Sequence, residues 1–286
     1  MPRWFEHVRS LNQPLHMLAL SVAVRLFGSA RARERFGLLT ARPMYAYGLF
    51  RAADLARWCG LRQVTAVEFG VATGRGLLAM VEAAGHVQRE TGVEIRVVGF
   101  DSAAGLPPPT DHRDHPELWS EGDFPMVNYE ELRARLARRA ELVLGDIAQT
   151  VGPFRDSLRP NAPLGFVSLD VDLYSSTVSA LRVFEAADPT LYLPAVSVYL
   201  DDVTMFTANR WCGELAAVEE FNAAHELRKF DLDRTLPGRR PWPHLNWYTR
   251  MRVLHVLDHP RRRQPEPRRS LALDEDQRRL REYGLM

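Results

Sequence analysis

Cysteine is scarce in this chain of 286 residues, which contains only Cys59 and Cys212. The two positions are far apart in sequence and lack the close spacing of thiolate ligands around a metal. They therefore provide neither a disulfide framework nor a thiolate metal centre. We expect both thiols to be reduced, as is typical of cytoplasmic proteins, and we expect the protein to be cytoplasmic.

Long apolar runs are also missing. The most apolar stretch near the N-terminus, residues 15–27, is interrupted by His16 and Arg25 and is shorter than the about 20 residues that cross a bilayer. No small-residue cleavage site follows it, which disfavours a signal peptide. The net charge is +1 at pH 7. No strong field therefore favours nucleic acid or a membrane, and we expect a small molecule as partner.

Lysine is nearly absent, since Lys229 is the only one and arginine supplies the other positive charges. Arginine codons are rich in G and C, which suggests a GC-rich, bacterial genome. The scarcity of lysine also limits the chemistry of a glycine-rich segment, residues 64–76 (VTAVEFGVATGRG). β-Branched residues predict a buried strand there, and the apolar residues after Gly76 predict a helix.

A strand, a glycine loop and a helix are typical of the cofactor edge of a doubly wound α/β sheet. Glycines let the backbone approach a ligand, and the helix start offers free N–H groups. An ordinary tight turn is the alternative. The Gly70-x-x-x-Gly74-x-Gly76 spacing is similar to the loop of short-chain dehydrogenases, but those enzymes need a Tyr-x-x-x-Lys pair, and His225 stands four residues before Lys229.

The same spacing resembles the first motif of class I S-adenosylmethionine (SAM) methyltransferases. That motif has an acid two residues before its first glycine, where this chain has Glu68. We therefore assign Glu68, Gly70, Gly74 and Gly76 to SAM binding. The absence of the Tyr-x-x-x-Lys pair removes the dehydrogenase chemistry, so the methyltransferase interpretation comes first.

Two further strands end in acids that would extend the cofactor site. Residues 94–101 end in Asp101, which is placed to accept hydrogen bonds from ribose hydroxyls, and Ser102 follows it. Residues 141–144 are followed by Gly145 and Asp146, and Asp146 would bond the adenine amino group. For both aspartates, a helix or turn cap is the alternative.

The strands predicted at residues 163–170 and 195–200 end in acids as well. Asp170 is the last residue of the first and Asp172 comes shortly after it, and Asp201 and Asp202 follow the second. Neighbouring strands would bring these carboxylates together, and Asp170 and Asp172 would point to the same side of an extended segment. Clustered carboxylates repel unless a cation or protons neutralise them, and hard oxygen ligands favour Mg²⁺. Alternatively, only one or two of them face the site.

The predicted fold is a Rossmann-like, mostly parallel doubly wound sheet with a C-terminal antiparallel strand pair (residues 227–232 and 246–256). We predict a helical extension at residues 1–60, a catalytic domain at 61–258, and a charged linker with a terminal helix at 259–286. The extension would cap the site or join subunits in a homo-oligomer, or it would simply pack on the sheet. Residues 103–127, rich in Pro, Asp, His and Gly, are predicted to form an active-site lid.

Four segments together resemble the macrocin O-methyltransferase family over roughly residues 64–250. They are Gly-Val-Ala-Thr-Gly-Arg-Gly (70–76), Phe-Asp-Ser-Ala-Ala-Gly-Leu-Pro (100–107), Asp-Val-Asp-Leu-Tyr-Ser-Ser-Thr (170–177) and Leu-Asp-Asp-Val (200–203). The family consists of Mg²⁺-dependent sugar O-methyltransferases with the class I SAM fold. The resemblance implies SAM as cofactor, Mg²⁺ held by Asp170, Asp201 and Asp202, and Asp172 or Asp170 as the proton acceptor.

The chain departs from the family at Ala72 and Thr73, where the family has Trp-Arg-Gly-Gly, and in the lid. The predicted acceptor is therefore sugar-like or a vicinal diol, without a specific identity. Two alternatives remain open. One is a metal-dependent glycosyltransferase using Asp170-x-Asp172, against which Glu68 and the glycine loop argue. The other is a non-catalytic protein that binds SAM.

Overall fold

A seven-stranded sheet runs through the part of the chain that the computed structural model describes, residues 15–238, 240–242 and 245–263. The strand order is β3-β2-β1-β4-β5-β7-β6. The strands are β1 (Gln63–Phe69), β2 (Glu94–Asp101), β3 (Glu141–Leu144), β4 (Leu164–Leu169), β5 (Tyr192–Leu200), β6 (Arg228–Leu232) and β7 (Met251–Val256). The first five are parallel, and β7 pairs antiparallel with β5 and β6. The predicted fold class is confirmed.

Helices cover both faces of the sheet. They are α1 (Leu15–Phe27), α2 (Ala30–Arg35), α3 (Pro43–Trp58), α4 (Arg75–Thr91), α5 (Tyr129–Leu136), α6 (Ile147–Ser157), α7 (Tyr174–Leu181) and α8 (Gly213–Ala224). One apolar core joins α3, α4 and α5 to the sheet, and a second joins α6, α7 and α8 to the opposite face. All six residues of β4 are buried, as expected of a central parallel strand.

The strand order reverses direction at β1, because β2 lies on one side of it and β4 on the other. In open parallel sheets, a ligand crevice forms outside the carboxyl ends of the strands at this switch point. The glycine loop (residues 70–76) begins directly after β1, and α4 begins directly after Gly74. The topology therefore places the glycine loop at the expected mouth of the sheet.

Helix α3 packs directly on the sheet, which is the alternative considered for the N-terminal region. A Cβ added to Gly48 would lie 2.3 Å from the ring of Phe166 in β4, so only a glycine lets the helix approach this closely. The Tyr45 ring also makes edge contacts with Phe166 and Tyr199. A domain boundary at residue 60 and a subunit contact through these helices stay predictions.

The C-terminal strand of the sheet is shorter than predicted. The last strand was predicted over residues 246–256, but Asn246–Arg250 forms a 3-10 turn and β7 begins only at Met251. The predicted terminal helix, with Ser270 as its cap, lies outside the described residues. No helix among the described residues is both long and apolar enough to cross a membrane.

Candidate active site at the carboxyl ends of the parallel strands

A cavity of ≈ 990 Å³ lies at the mouth of the sheet. It brings together nearly all the residues that the sequence assigned to the site: Glu68, Gly70, Gly76, Asp101, Ser102, Asp146, Asp170, Asp172, Asp201 and Asp202. Gly74 is not part of the cavity wall and instead precedes the first residue of α4. The individual roles of these residues stay predictions.

The glycine loop needs its glycines for its own packing. Gly70 has φ +85°, and a Cβ there would lie 1.7 Å from the carbonyl oxygen of Asp170. A Cβ on Gly76 would lie 1.9 Å from Oε1 of Glu68. Larger residues would push the loop away from β4 and displace the Glu68 carboxylate, so the loop is shaped before any ligand binds.

Asp101 braces this loop from the end of β2. Its Oδ2 accepts hydrogen bonds from the backbone N–H groups of Val71 and Ala72, at 2.8 and 2.7 Å. Its Oδ1 accepts a third bond, from the N–H of Ala103 at 2.7 Å. The side chain is buried, and both oxygens are engaged within the protein. Asp101 therefore holds the glycine loop in position, a structural role that is separate from its predicted contact with ribose.

Two other predicted cofactor residues lie at the edge of the cavity. Asp146 is the N-cap of α6, where its Oδ1 accepts a bond from the N–H of Ala148 at 2.8 Å. Ser102 donates to the carbonyl oxygen of Gly105 and accepts from the N–H of Ala104. Asp146 therefore makes the capping contact that was the alternative for it. Its contact with adenine stays a prediction.

Glu68 lies in a buried polar network that the sequence did not indicate. Tyr45 of α3 donates to its Oε1 at 2.5 Å, and the Ser168 hydroxyl donates to the Tyr45 oxygen at 2.9 Å. The other carboxylate oxygen, Oε2, is buried without a hydrogen-bond partner. Burial raises the pKa of Glu68 to about 8, while the bond from Tyr45 opposes the shift. Glu68 thus offers one free oxygen at the cavity wall.

The acids at the ends of β4 and β5 lie close together, and an arginine lies among them. Nη1 of Arg42 is 3.4 Å from Oδ2 of Asp170 and 3.9 Å from Oδ1 of Asp201. Arg250 forms an ion pair with the same Asp201 oxygen at 3.1 Å. Burial, followed by repulsion from Asp201, raises the pKa of Asp170 to about 7. Two arginines therefore only partly neutralise the cluster.

Asp172 does not lie in an extended segment, so the prediction that alternation aligns it with Asp170 is wrong. β4 ends at Leu169, and Asp172 has φ +60°, a left-handed conformation that is unusual for a residue with a side chain. Burial, followed by repulsion from Asp170, raises the pKa of Asp172 to about 7. It reaches the cavity wall through a turn and not through strand alternation.

Glu214, at the start of α8, is a further acid beside this cluster. Its Oε2 accepts a bond from the backbone N–H of Asp202 at 3.0 Å, and its Oε1 and Oδ2 of Asp202 are both buried without partners. Burial raises the pKa of Glu214 well above its ordinary value and that of Asp202 to about 7. Across the described ranges, no three or more His, Cys, Asp or Glu residues are arranged to hold a metal ion.

The predicted lid segment (residues 103–127) is anchored in its middle. Asp114 is fully buried and accepts bonds from the N–H groups of Thr110 and Ser175, at 2.7 and 2.8 Å. Arg113 donates to the Tyr174 hydroxyl at 2.8 Å and pairs with Glu220 of α8 at 3.1 Å. Two parts of the segment line the cavity: residues 104–107 and the lid tip (residues 119–124), of which all but Ser120 belong to the wall. Closure of the segment stays a prediction.

The sequence analysis missed Arg42, Tyr45, Glu214 and Arg250. Arg42 and Tyr45 precede β1 by about twenty positions, and no spacing relates them to Glu68 or Asp170. Glu214 stands in the first turn of a helix, where a solvated acid is ordinary. For Arg42 and Tyr45, the helical pattern of the N-terminal region was the only indication in the sequence. A helical cap over the site would bring residues of that region near the cofactor.

The solved structures that resemble this chain include methyltransferases. The chain is similar to the crystal structure of CalS11, a calicheamicin methyltransferase, with 22% identity, a TM-score of 0.52, and coverage of 90% of this chain and 94% of that one. It is also similar to the O-methyltransferase NovP, with 18% identity, a TM-score of 0.47, and coverage of 78% and 86%. No protein-family model matches the sequence, and no curated protein does. The CalS11 likeness confirms the predicted methyltransferase fold.

Proposed function

We propose that the protein is a SAM-dependent O-methyltransferase that acts on a hydroxyl group of a small molecule. The observation that carries this proposal is the cavity itself. It joins a glycine loop and a free Glu68 oxygen, at the switch point of a methyltransferase fold, to half-buried carboxylates at the ends of β4 and β5. The free Glu68 oxygen is a suitable acceptor for the ammonium group of SAM. The glycines of the loop let the protein backbone approach the cofactor closely.

On this proposal, an acid at the ends of β4 and β5 accepts the proton of the acceptor hydroxyl. Asp172 is the preferred base, with Asp170 as the alternative, because burial and repulsion raise the pKa of each to about 7. A base whose pKa lies near the working pH transfers protons efficiently. With SAM bound, the deprotonated oxygen would take the methyl group and the thioether of the cofactor would leave. Holding both reactants in one cavity supplies much of the rate.

The carboxylate donors at the ends of β4 and β5 are of the kind that magnesium prefers, although the described residues are not arranged around an ion in this structure. Carboxylate oxygens are hard ligands, and Oδ2 of Asp202 is buried without a partner. Asp170, Asp201 and Asp202 would hold the ion, which would supply a Lewis acid that lowers the pKa of an acceptor hydroxyl. Arg42 lies within ion-pair distance of Asp170 and Asp201 and would have to withdraw from both.

Isothermal titration calorimetry tests the proposal. S-adenosylhomocysteine (SAH), the product of SAM after methyl transfer, should bind to the purified protein, whereas NADH and UDP-sugars should not. Glu68→Ala should abolish most of the SAH affinity, and Glu226→Ala, a change at an exposed acid outside the cavity, should leave it unchanged. Binding of a UDP-sugar without binding of SAH would replace the proposal with the glycosyltransferase alternative.

A further inference from the structure

The lid tip presents two aromatic rings to the cavity. Trp119 and Phe124 lie edge to face, with ring centroids 5.9 Å apart, and both line the wall. Phe124 is 54% exposed, although a large aromatic ring usually gains stability by burial. The pair therefore offers an apolar, electron-rich surface that the protein does not cover with its own side chains.

Two carboxylates stand between these rings in the sequence. Glu121 and Asp123 both line the cavity, and neither forms an ion pair within the described residues. The Asp123 carboxylate accepts one bond, from the N–H of Ser120 at 2.9 Å, and it lies close enough to Asp172 for the two charges to repel. The lid side of the cavity thus carries negative charge without a basic partner.

The cavity wall has two basic residues and nine acidic ones, so acids are in excess. The basic residues are Arg42, which interacts with Asp170 and Asp201 at the strand ends, and Arg75, the first residue of α4. An anionic acceptor, such as one carrying a diphosphate, would meet carboxylates on the lid and on the strand ends together. A cationic acceptor would relieve the repulsion between them.

One polar atom of the lid tip also lacks a partner. The indole Nε1 of Trp119 is buried in the structure without a hydrogen-bond acceptor. A buried N–H without an acceptor is costly, so a ligand oxygen in this position would recover a hydrogen bond. This unpartnered donor is a second feature of the lid tip, independent of its acidic charge.

Aromatic faces combined with carboxylates are a setting that binds ammonium groups, through cation–π attraction and ion pairing. We propose that Trp119, Glu121, Asp123 and Phe124 bind a protonated amine of the acceptor. The acceptor is then an amino-bearing polyhydroxyl compound with the chemistry of an amino sugar. This inference rests on the proposed methyltransferase function and specifies its substrate class.

The cofactor carries positive charge as well, and the test must separate the two sources. If the lid carboxylates held the cofactor, their removal would weaken SAH or SAM binding in the absence of any acceptor. If they hold the acceptor amine, cofactor affinity is unchanged and only acceptor binding responds. The readout is therefore taken in two stages, first with the cofactor alone and then with the SAH-saturated protein.

The probes are methyl glucosaminide, methyl N-acetylglucosaminide and methyl glucoside, titrated into the SAH-saturated full chain and followed by NMR. We expect the amine to bind roughly tenfold more tightly than the other two, the scale of a desolvated cation on aromatic faces. The double variant Glu121→Gln with Asp123→Asn should abolish this preference and leave the SAH dissociation constant within about twofold. The matched control, Glu130→Gln with Glu226→Gln, removes two exposed charges outside the cavity and should retain it.

Three results overturn the inference: equal binding of the three glycosides, an amine preference that survives in the Glu121→Gln, Asp123→Asn variant, or a loss of SAH affinity in that variant without glycoside. Failure of the wild-type protein to bind SAH is a different result, because it overturns the methyltransferase proposal itself.

Discussion

Tyr45 donates its phenolic hydrogen to Oε1 of Glu68, with 2.5 Å between the two oxygens. The residues stand on different elements, α3 and β1, and both are buried. Because Tyr45 occupies one carboxylate oxygen, the other is left for a ligand. A helix that precedes the sheet in sequence therefore orients the acid that the cofactor is expected to meet.

Replacing Tyr45 with Phe should lower both the affinity for SAH and the free energy of unfolding. The change leaves Oε1 of Glu68 and the Ser168 hydroxyl without a buried partner, which costs about 1–3 kcal/mol in the free energy of unfolding. Urea denaturation and calorimetry measure the two effects. Tyr129→Phe removes a hydroxyl from a partly buried tyrosine outside the cavity and serves as the control. Unchanged SAH affinity in Tyr45→Phe would contradict an orienting role.

Glu68 should make the stability of the ligand-free protein depend on pH. Its pKa is raised to about 8 by burial, from an ordinary value near 4.5 in the unfolded chain. Between these values the folded state holds a proton that the unfolded state has lost. The Glu68 contribution to stability is therefore fully present below pH 4.5 and is lost as pH rises toward 8, at about 1.4 kcal/mol per pH unit.

Unfolding free energies measured from pH 5 to 9 test this dependence. Glu68→Gln cannot ionise, so its profile should be flatter than the wild-type profile over the same range. SAH binding to the wild type should also release a proton near pH 7, since the carboxylate is the form that pairs with an ammonium group. Identical pH profiles for wild type and Glu68→Gln would show that Glu68 is ionised in the folded protein throughout this range.

Asp101→Asn should destabilise the protein even without cofactor. Asp101 accepts three backbone hydrogen bonds, and an amide group would turn N–H donors toward donors in the glycine loop. We expect a loss of about 1–3 kcal/mol in the free energy of unfolding. Asp146→Asn is the matched change, and it should be nearly neutral because Asn is also a good N-cap. A stability loss confined to the SAH complex would instead favour the ribose contact.

Magnesium should stabilise the protein by binding at Asp170, Asp201 and Asp202. A ligand that binds only the folded state adds about 2.7 kcal/mol when its free concentration is 100 times its dissociation constant. The melting temperature of EDTA-treated protein should rise when Mg²⁺ is added. Asp202→Asn should reduce this rise, and Arg42→Gln should increase Mg²⁺ affinity, because it removes the competing cation. Asp156→Asn, an exposed change, should behave like the wild type. An equal rise in Asp202→Asn would place the ion elsewhere.

Proteolysis should distinguish the anchored middle of the lid segment from its tip. Asp114 and Arg113 are tied to α7 and α8, so cleavage at residues 110–115 should be slow in every state. Cleavage at residues 119–124 should be faster and should slow when SAH and an acceptor are both present. Mass spectrometry of the fragments identifies the positions. Equal rates at the tip with and without ligands would argue that it is a static part of the wall.

The strands of this fold could be predicted because each carries a local signal. β1 and β2 are rich in β-branched residues, β4 is an almost wholly apolar run, and glycines or acids mark their ends. The meeting of the acids at the ends of β4 and β5 followed from the topology, because parallel neighbours end at one edge. Local chemistry and a topological rule were sufficient there.

The interactions around those acids could not be predicted in the same way. Arg42 and Asp170 are 128 positions apart, and their proximity depends on how α3 packs across the sheet. Asp172 was assigned an extended conformation, but the turn after β4 gave it a positive φ. Asn246–Arg250 has strand-like composition and yet forms a 3-10 turn. In each case tertiary packing overrode the local pattern.

The close approach of α3 to β4 at Gly48 has a consequence for protein engineering. The segment before residue 61 contributes a phenol, a guanidinium group and the cover over Phe166. A fragment that began at β1 would keep every strand but lose the donor to Glu68 and expose an aromatic core residue. Chimeras between proteins of this fold should therefore exchange α3 together with the sheet. Their junction should lie before residue 42.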